Sequence, residues 1–390
     1  MMTLSTRLIL AIALFIGIAA NADDSNTLAL RLFSRVAGVK ASMNDPRIAQ
    51  MASLIQSGKA FDAAGIAADD PNFLNVTAFQ FFAPKSMRTE ATNSGFNDFV
   101  AMGMLVTRFN RPYTDMVQGD FTVTVEGVTE GLVGTAPNQT PDLTKNLHYS
   151  TAETKVPDLG SKLQLVTPQR PAFPDAAGAL TSRQFMSEHA NMGTNRRIVQ
   201  FAFQEFLCTP ITSWRDSGPT LSDEIVTRDV DRAPGGDPVA YQTQCRVCHQ
   251  VLDPMRAAWA FHDFTNNTPS FKAGVVKLLI NDTVNYPDGA QLGSDSFQNR
   301  AVINQNTQFG WQGALSGNGA KAFGQMIARA DRFASCAVQQ VFTQICSRAP
   351  NSSEQVNEIQ SIAKQFKSDN YNLRNVFKRV STLPQCMGSL

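Results

Sequence analysis

Residues 245–264 read Cys245-Arg246-Val247-Cys248-His249-Gln250-Val251-Leu252-Asp253-Pro254-Met255-Arg256-Ala257-Ala258-Trp259-Ala260-Phe261-His262-Asp263-Phe264, and the first five form a CxxCH motif. That spacing has a mechanical meaning. Two thiols so placed can add across the two vinyl groups on one edge of a porphyrin, and a helix beginning at the second Cys carries the next side chain beneath the ring. His249 would then face the iron as an axial ligand. With 6 Cys and 4 His in 390 residues, such a motif arises by chance roughly once in a thousand chains. The spacing therefore predicts one covalent haem c at Cys245 and Cys248, with His249 on the metal. A thioredoxin-like pair would need a βαβ surround, and a zinc site two further ligands nearby. The remaining cysteines, Cys208, Cys336, Cys346 and Cys386, are dispersed singly.

Covalent haem attachment in bacteria takes place outside the cytoplasm, and the start of the chain suits that compartment. Residues 1–22 carry one cation, Arg7, an apolar run from Leu8 to Ala19, and Ala20-Asn21-Ala22 as a small-x-small cleavage site. They read as a secretory signal peptide. About 12 apolar residues fall short of the roughly 20 needed to span a bilayer. No later segment is apolar enough to span, so a periplasmic or secreted product without a transmembrane segment is expected after cleavage.

Lys and Arg total 34 against 33 Asp and Glu, and charged residues make up 17% of the chain. No basic excess is present to hold a polyphosphate, which excludes nucleic acid as an expected partner. A hydrophobic content of 43% supplies real cores and excludes a disordered chain.

Outward from the motif the pattern is mainly α-helical: a helical N-terminal region plus a helical cytochrome c-like domain with long polar loops. Residues 23–133 read as an N-terminal domain of short helices, with an alternating strand at Phe121–Val125. The Pro-rich stretch 134–178 reads as a linker or loop, and 179–390 as the haem domain. Within the latter, helices are predicted over Thr181–His189, Arg196–Cys208, Cys248–Phe264, Ala320–Ser347, Ser353–Lys367, with Ser353 as a cap, and Asn372–Leu383. Residues 265–320 read as loops with a hairpin, and Pro287-Asp288-Gly289 as a turn.

The stretch CRVCHQVLDPMRAAWAFHDF resembles planctomycete-type cytochrome c-like proteins, exported bacterial proteins of largely unassigned function. Their haem motif continues C-x-x-C-H-x-x-(Ile/Leu)-Asp-Pro-(Leu/Met)-Gly, then an aromatic and Asp. Leu252, Asp253, Pro254, Met255 and Asp263 match; Arg256 stands where the family has Gly, and His262 where it has Phe or Tyr. Leu180–Cys208, with His189-Ala190 and Arg197, is similar to the family's segment ahead of the haem site. Phe333–Cys336 and Tyr371–Arg374 are similar to its C-terminal helices, and Leu30–Asp120 more faintly to a preceding helical domain. The resemblance implies haem and a mostly helical fold but supplies no substrate.

A sixth iron ligand must come from the haem face opposite His249. Met326, 77 residues downstream in another helix, is the leading candidate, although a Met at helical spacing also suits a core. His189 follows, its alternative being a helix C-terminal His satisfied by backbone carbonyls; His262 reads as packing and His148 as solvated in the linker. Asp253 and Pro254 read as a local backbone cap and turn. Cys336 and Cys346 lie about 15 Å apart along one helix, beyond the roughly 7 Å Cα limit of a disulfide. Helices running up, down and up would instead pair Cys346 with Cys386, leaving Cys208 for Cys336; the alternative is four buried free thiols.

The leading expectation is an exported monohaem c-type cytochrome passing electrons to an unidentified redox partner, rather than an enzyme. The alternatives are a haem enzyme, such as a peroxidase or dehydrogenase subunit, and an exported binding or assembly protein with structural haem.

Overall fold

The structure is a computed structural model that describes residues 25–89, 95–136, 138–169, 174–190, 196–214, 246–273, 276–278, 290–292, 294–301 and 306–387. Residues 1–22, Cys245 and the expected turn at Pro287-Asp288-Gly289 lie outside them. The described chain is mainly helical. Its principal helices toward the N-terminus are α1 (25–37), α2 (Pro46–Gln56), α3 (Ala60–Ala68), α4 (Asp98–Arg108) and α5 (Leu147–Lys155). There follow α6 (Arg183–His189), α7 (Arg196–Leu207) and α8 (Arg246–Arg256), then α9 (Gly319–Arg329), α10 (Asp331–Cys346), α11 (Gln360–Ser368) and α12 (Leu373–Ser381). Local signals start them: Asp45 accepts from the Arg47 N–H ahead of Pro46, Asn97 from Val100, Ser182 from Phe185 and Asn372 from Asn375.

Buried apolar side chains from Ala29 to Cys386 make one continuous cluster that runs through all the expected segments. α3 packs on α12, and the Tyr113 N–H donates to the Tyr371 carbonyl at 2.9 Å. A train of rings then crosses the molecule: Phe99 of α4 against Phe185 of α6 and Phe206 of α7, and Phe206 against Tyr113 and Phe333 of α10. Glycine is required where α9 crosses the short helix Asp115–Gln118, because a Cβ at Gly324 would stand 1.6 Å from the Val117 carbonyl oxygen.

Several elements differ from expectation. Residues 134–178 contain α5 and a strand, β2 (Leu163–Val166), which pairs antiparallel with β1 (Thr122–Val125). The helix expected through Phe264 is α8 followed by a tight turn at Ala257–Trp259, after which β3 (His262–Thr265) pairs with β4 (Thr268–Phe271). Asn266 and Asn267 join these strands with φ of 52° and 60°, the left-handed pair a two-residue hairpin turn requires. The helix expected from Ala320 to Ser347 is broken at Ala330, which is extended, so that the Asp331 N–H donates to the Gly310 carbonyl. Asn351 rather than Ser353 caps the helical run over 352–368, in a capping box with Glu354.

α10 packs on α7, α11 and α12. Cys346 at the end of α10 stands at disulfide distance from Cys386 beyond α12, with Cα atoms 4.6 Å apart. Cys208 just past α7 stands likewise with Cys336 inside α10, at 5.3 Å. The stretch from Cys336 to Cys346 is unbroken helix, which keeps those two apart.

Candidate haem-attachment site

α8 begins at Arg246, so Cys248 and His249 lie in its first turn. Val251, Leu252 and Met255 anchor the helix in the core. Pro254 has no N–H for the Gln250 carbonyl, and two residues later the helix gives way to the Ala257–Trp259 turn. Arg256, where the resembled family has Gly, is buried, and burial together with the charge of Arg196 pushes its pKa well down.

His249 is partly exposed, and its neighbour one turn on is Asp253, with a fully buried carboxylate. The Nδ1–H of His249 donates to Asp253 Oδ2 at 3.1 Å, because a carboxylate only accepts. The other carboxylate oxygen accepts from Nε of Arg196, the first residue of α7. This Arg196–Asp253–His249 relay orients the imidazole and fixes its tautomer, which makes Nε2 the nitrogen suited to a metal. A carboxylate behind a ligating His is the usual arrangement around protein-bound metals. Asp253 is thus a positioning residue rather than a local backbone cap. Its i, i+4 spacing from His249 was legible in the sequence. Arg196 arrives across a helix-helix packing and left no signal there.

The other histidines divide cleanly. His148 is buried, not solvated. Its Nδ1–H donates to the Glu130 carbonyl and its Nε2 accepts from the Val125 N–H, so it ties α5 to β1, and burial lowers its pKa. His262 is buried with Nε2 at 3.1 Å from Asp175, whose carboxylate also caps α9 by accepting from the Ala320 and Lys321 N–H groups. Trp259 and Phe271 flank it, so it serves packing. His189 ends α6, buried, and neither ring nitrogen has a hydrogen-bond partner, which removes the backbone-satisfied alternative. Its ring lies 4.0 Å from Phe201 in a stack and 4.4 Å from Phe185 edge-on. Burial, and then the charges of Arg197 and Arg88, lower its pKa to about 3.

Met326 is buried in α9, which packs on Asp115–Gln118 and on the Ala257–Trp259 turn. It belongs to the hydrophobic core cluster. Among the described residues no group of three or more His, Cys, Asp and Glu side chains gathers to hold a bare metal ion. Haem iron needs no such group, since the porphyrin supplies its equatorial ligands and the protein only the axial ones. The oriented imidazole of His249 and the orphaned nitrogens of His189 both fit that requirement.

Comparison of the chain with protein-family models, with curated proteins and with solved structures gave no match.

Proposed function

We propose that this chain is an exported monohaem c-type cytochrome that transfers single electrons, with haem attached through Cys245 and Cys248. The observation that carries this reading is the CxxCH histidine held by a buried carboxylate at the nitrogen opposite the ligating one. When bound, haem supplies a one-electron iron couple. The residues of the chain do the rest. His249 would offer Nε2 to the metal, Asp253 accepts the hydrogen bond from its Nδ1–H, and Arg196 neutralises Asp253 so that the carboxylate can be buried. Val251, Leu252 and Met255 seat α8 so that Cys248 and His249 keep one register.

Two cysteine pairs at disulfide distance support an oxidising compartment. Among the described residues no helix is long and apolar enough to cross a membrane. The reading is tested on protein purified from the exported fraction, by visible spectra of the oxidised and reduced forms and a redox titration. A reversible one-electron wave, with a spectrum that peroxide leaves unchanged, is expected. Rapid turnover of peroxide would replace electron transfer with the enzyme reading.

A further inference from the structure

Among the described residues, His189 is the one histidine with neither ring nitrogen hydrogen-bonded. His189 is 1% exposed, and both its Nδ1 and Nε2 lack any hydrogen-bond partner. Each such buried polar atom costs about 1–3 kcal/mol, so native proteins rarely leave one unpaired, still less two on one ring. The ring is nevertheless firmly placed. Ser182 and Asp98 together fasten the start of α6, the latter accepting from the Arg183 and Gln184 N–H groups. Phe185 and Phe201 clamp the imidazole from two sides. The nearby charges of Arg197 and Arg88 oppose its protonation. A neutral, desolvated, immobilised imidazole with an unused lone pair is the form in which His ligates a transition metal.

The clamp on His189 shares a helix with the support of His249. Phe201, on which the ring stacks, lies on α7, and the first residue of that helix, Arg196, holds Asp253 and through it His249. Five residues of helix separate the two supports, about 7.5 Å along the axis. One rigid element therefore carries both the relay behind His249 and the clamp on His189.

We propose that His189 is the second axial ligand, opposite His249, so that the haem iron is held by two imidazoles. This rests on the cytochrome reading above. It replaces Met326, and the physical contrast between the two residues decides: a thioether buried in a core needs no partner, whereas a buried imidazole does.

The test uses the purified exported holoprotein. Its oxidised form should be low-spin with the electron paramagnetic resonance and near-infrared signature of paired imidazoles, and without the weak sulfur-to-iron band near the red edge of the visible spectrum. His189→Ala should turn the oxidised iron high-spin, and added imidazole should restore the low-spin spectrum. His189→Met, which keeps a ligating side chain, should introduce the sulfur-to-iron band. Met326→Ala should change nothing. A low-spin spectrum that survives His189→Ala, a high-spin unmutated protein, or a sulfur band lost in Met326→Ala would each overturn the assignment while leaving the cytochrome reading standing. Protein that carries no covalent haem would overturn both.

Discussion

Removing the Cys208–Cys336 pair by the double substitution Cys208→Ser, Cys336→Ala should destabilise the protein by about 4 to 5 kcal/mol without altering its architecture. The partners are 128 residues apart in sequence, and closing a loop of that length removes about 5 kcal/mol of unfolded-chain entropy. The Cys346–Cys386 pair, 40 residues apart, should contribute about 4 kcal/mol by the same reasoning. The native junction is expected to persist because other bonds fasten it. Arg332 Nε donates to the Leu207 carbonyl at 3.0 Å, and Gln340 Nε2 to the Glu205 carbonyl at 2.9 Å. α10 thereby satisfies carbonyls at the end of α7 that have no helical partner of their own. Guanidinium unfolding of the oxidised parent and the variant reads the difference. The midpoint should fall while the slope rises, since an uncrosslinked unfolded chain exposes more surface. A loss below about 1 kcal/mol would refute the chain-entropy argument, and a peptide map joining Cys336 to Cys346 would refute the pairing itself.

Asp253→Asn should leave Arg196 without its buried countercharge and put one amide oxygen where Arg196 and His249 now share two acceptors; the expected cost is about 3 kcal/mol in stability, with a perturbed axial-ligand spectrum, read by unfolding and by absorption. His148→Ala should strand the Val125 N–H and the Glu130 carbonyl, for a loss of about 2 to 3 kcal/mol in a denaturant midpoint measurement. In haem-free protein, His189 should make stability depend on pH in a definite direction. Its folded pKa of about 3 lies below the roughly 6.5 of an unfolded His, so below neutrality the unfolded chain binds a proton that the folded one refuses. Stability is then lost as pH falls from about 6.5 toward 3, by about 2 kcal/mol at pH 5. His189→Phe should remove that slope, which the difference between the two unfolding curves at pH 7 and pH 5 measures.

What the sequence made legible was local. Apolar periodicity locates α6, α7 and the C-terminal helices, and the cysteine pairing follows from where those helices end, whereas the cap expected at Ser353 is Asn351. What it concealed was set by long-range contact. α5 shows little apolar periodicity, so Leu147–Lys155 reads as linker until β1 pairs with β2 and His148 is seen to bind the Val125 N–H. The Asn266-Asn267 turn carries no Gly or Pro, and the aromatic run before it reads as helix although it enters a hairpin. At the site, CxxCH names His249 directly. The burial of Asp253 depends on Arg196, 57 residues earlier, and no spacing rule relates them. His189 illustrates the opposite case: its burial suits an ordinary helix end, and only the absence of any partner for its two ring nitrogens sets it apart.

The central claim is covalent haem on the CxxCH motif, and the most direct measurement is the pyridine haemochrome spectrum of the exported protein after denaturation and acid-acetone extraction. Haem that stays with the polypeptide and gives a c-type spectrum, altered in Cys248→Ala, is the predicted result. A haem-free polypeptide from a host with working maturation machinery, or haem that extracts completely, would contradict it.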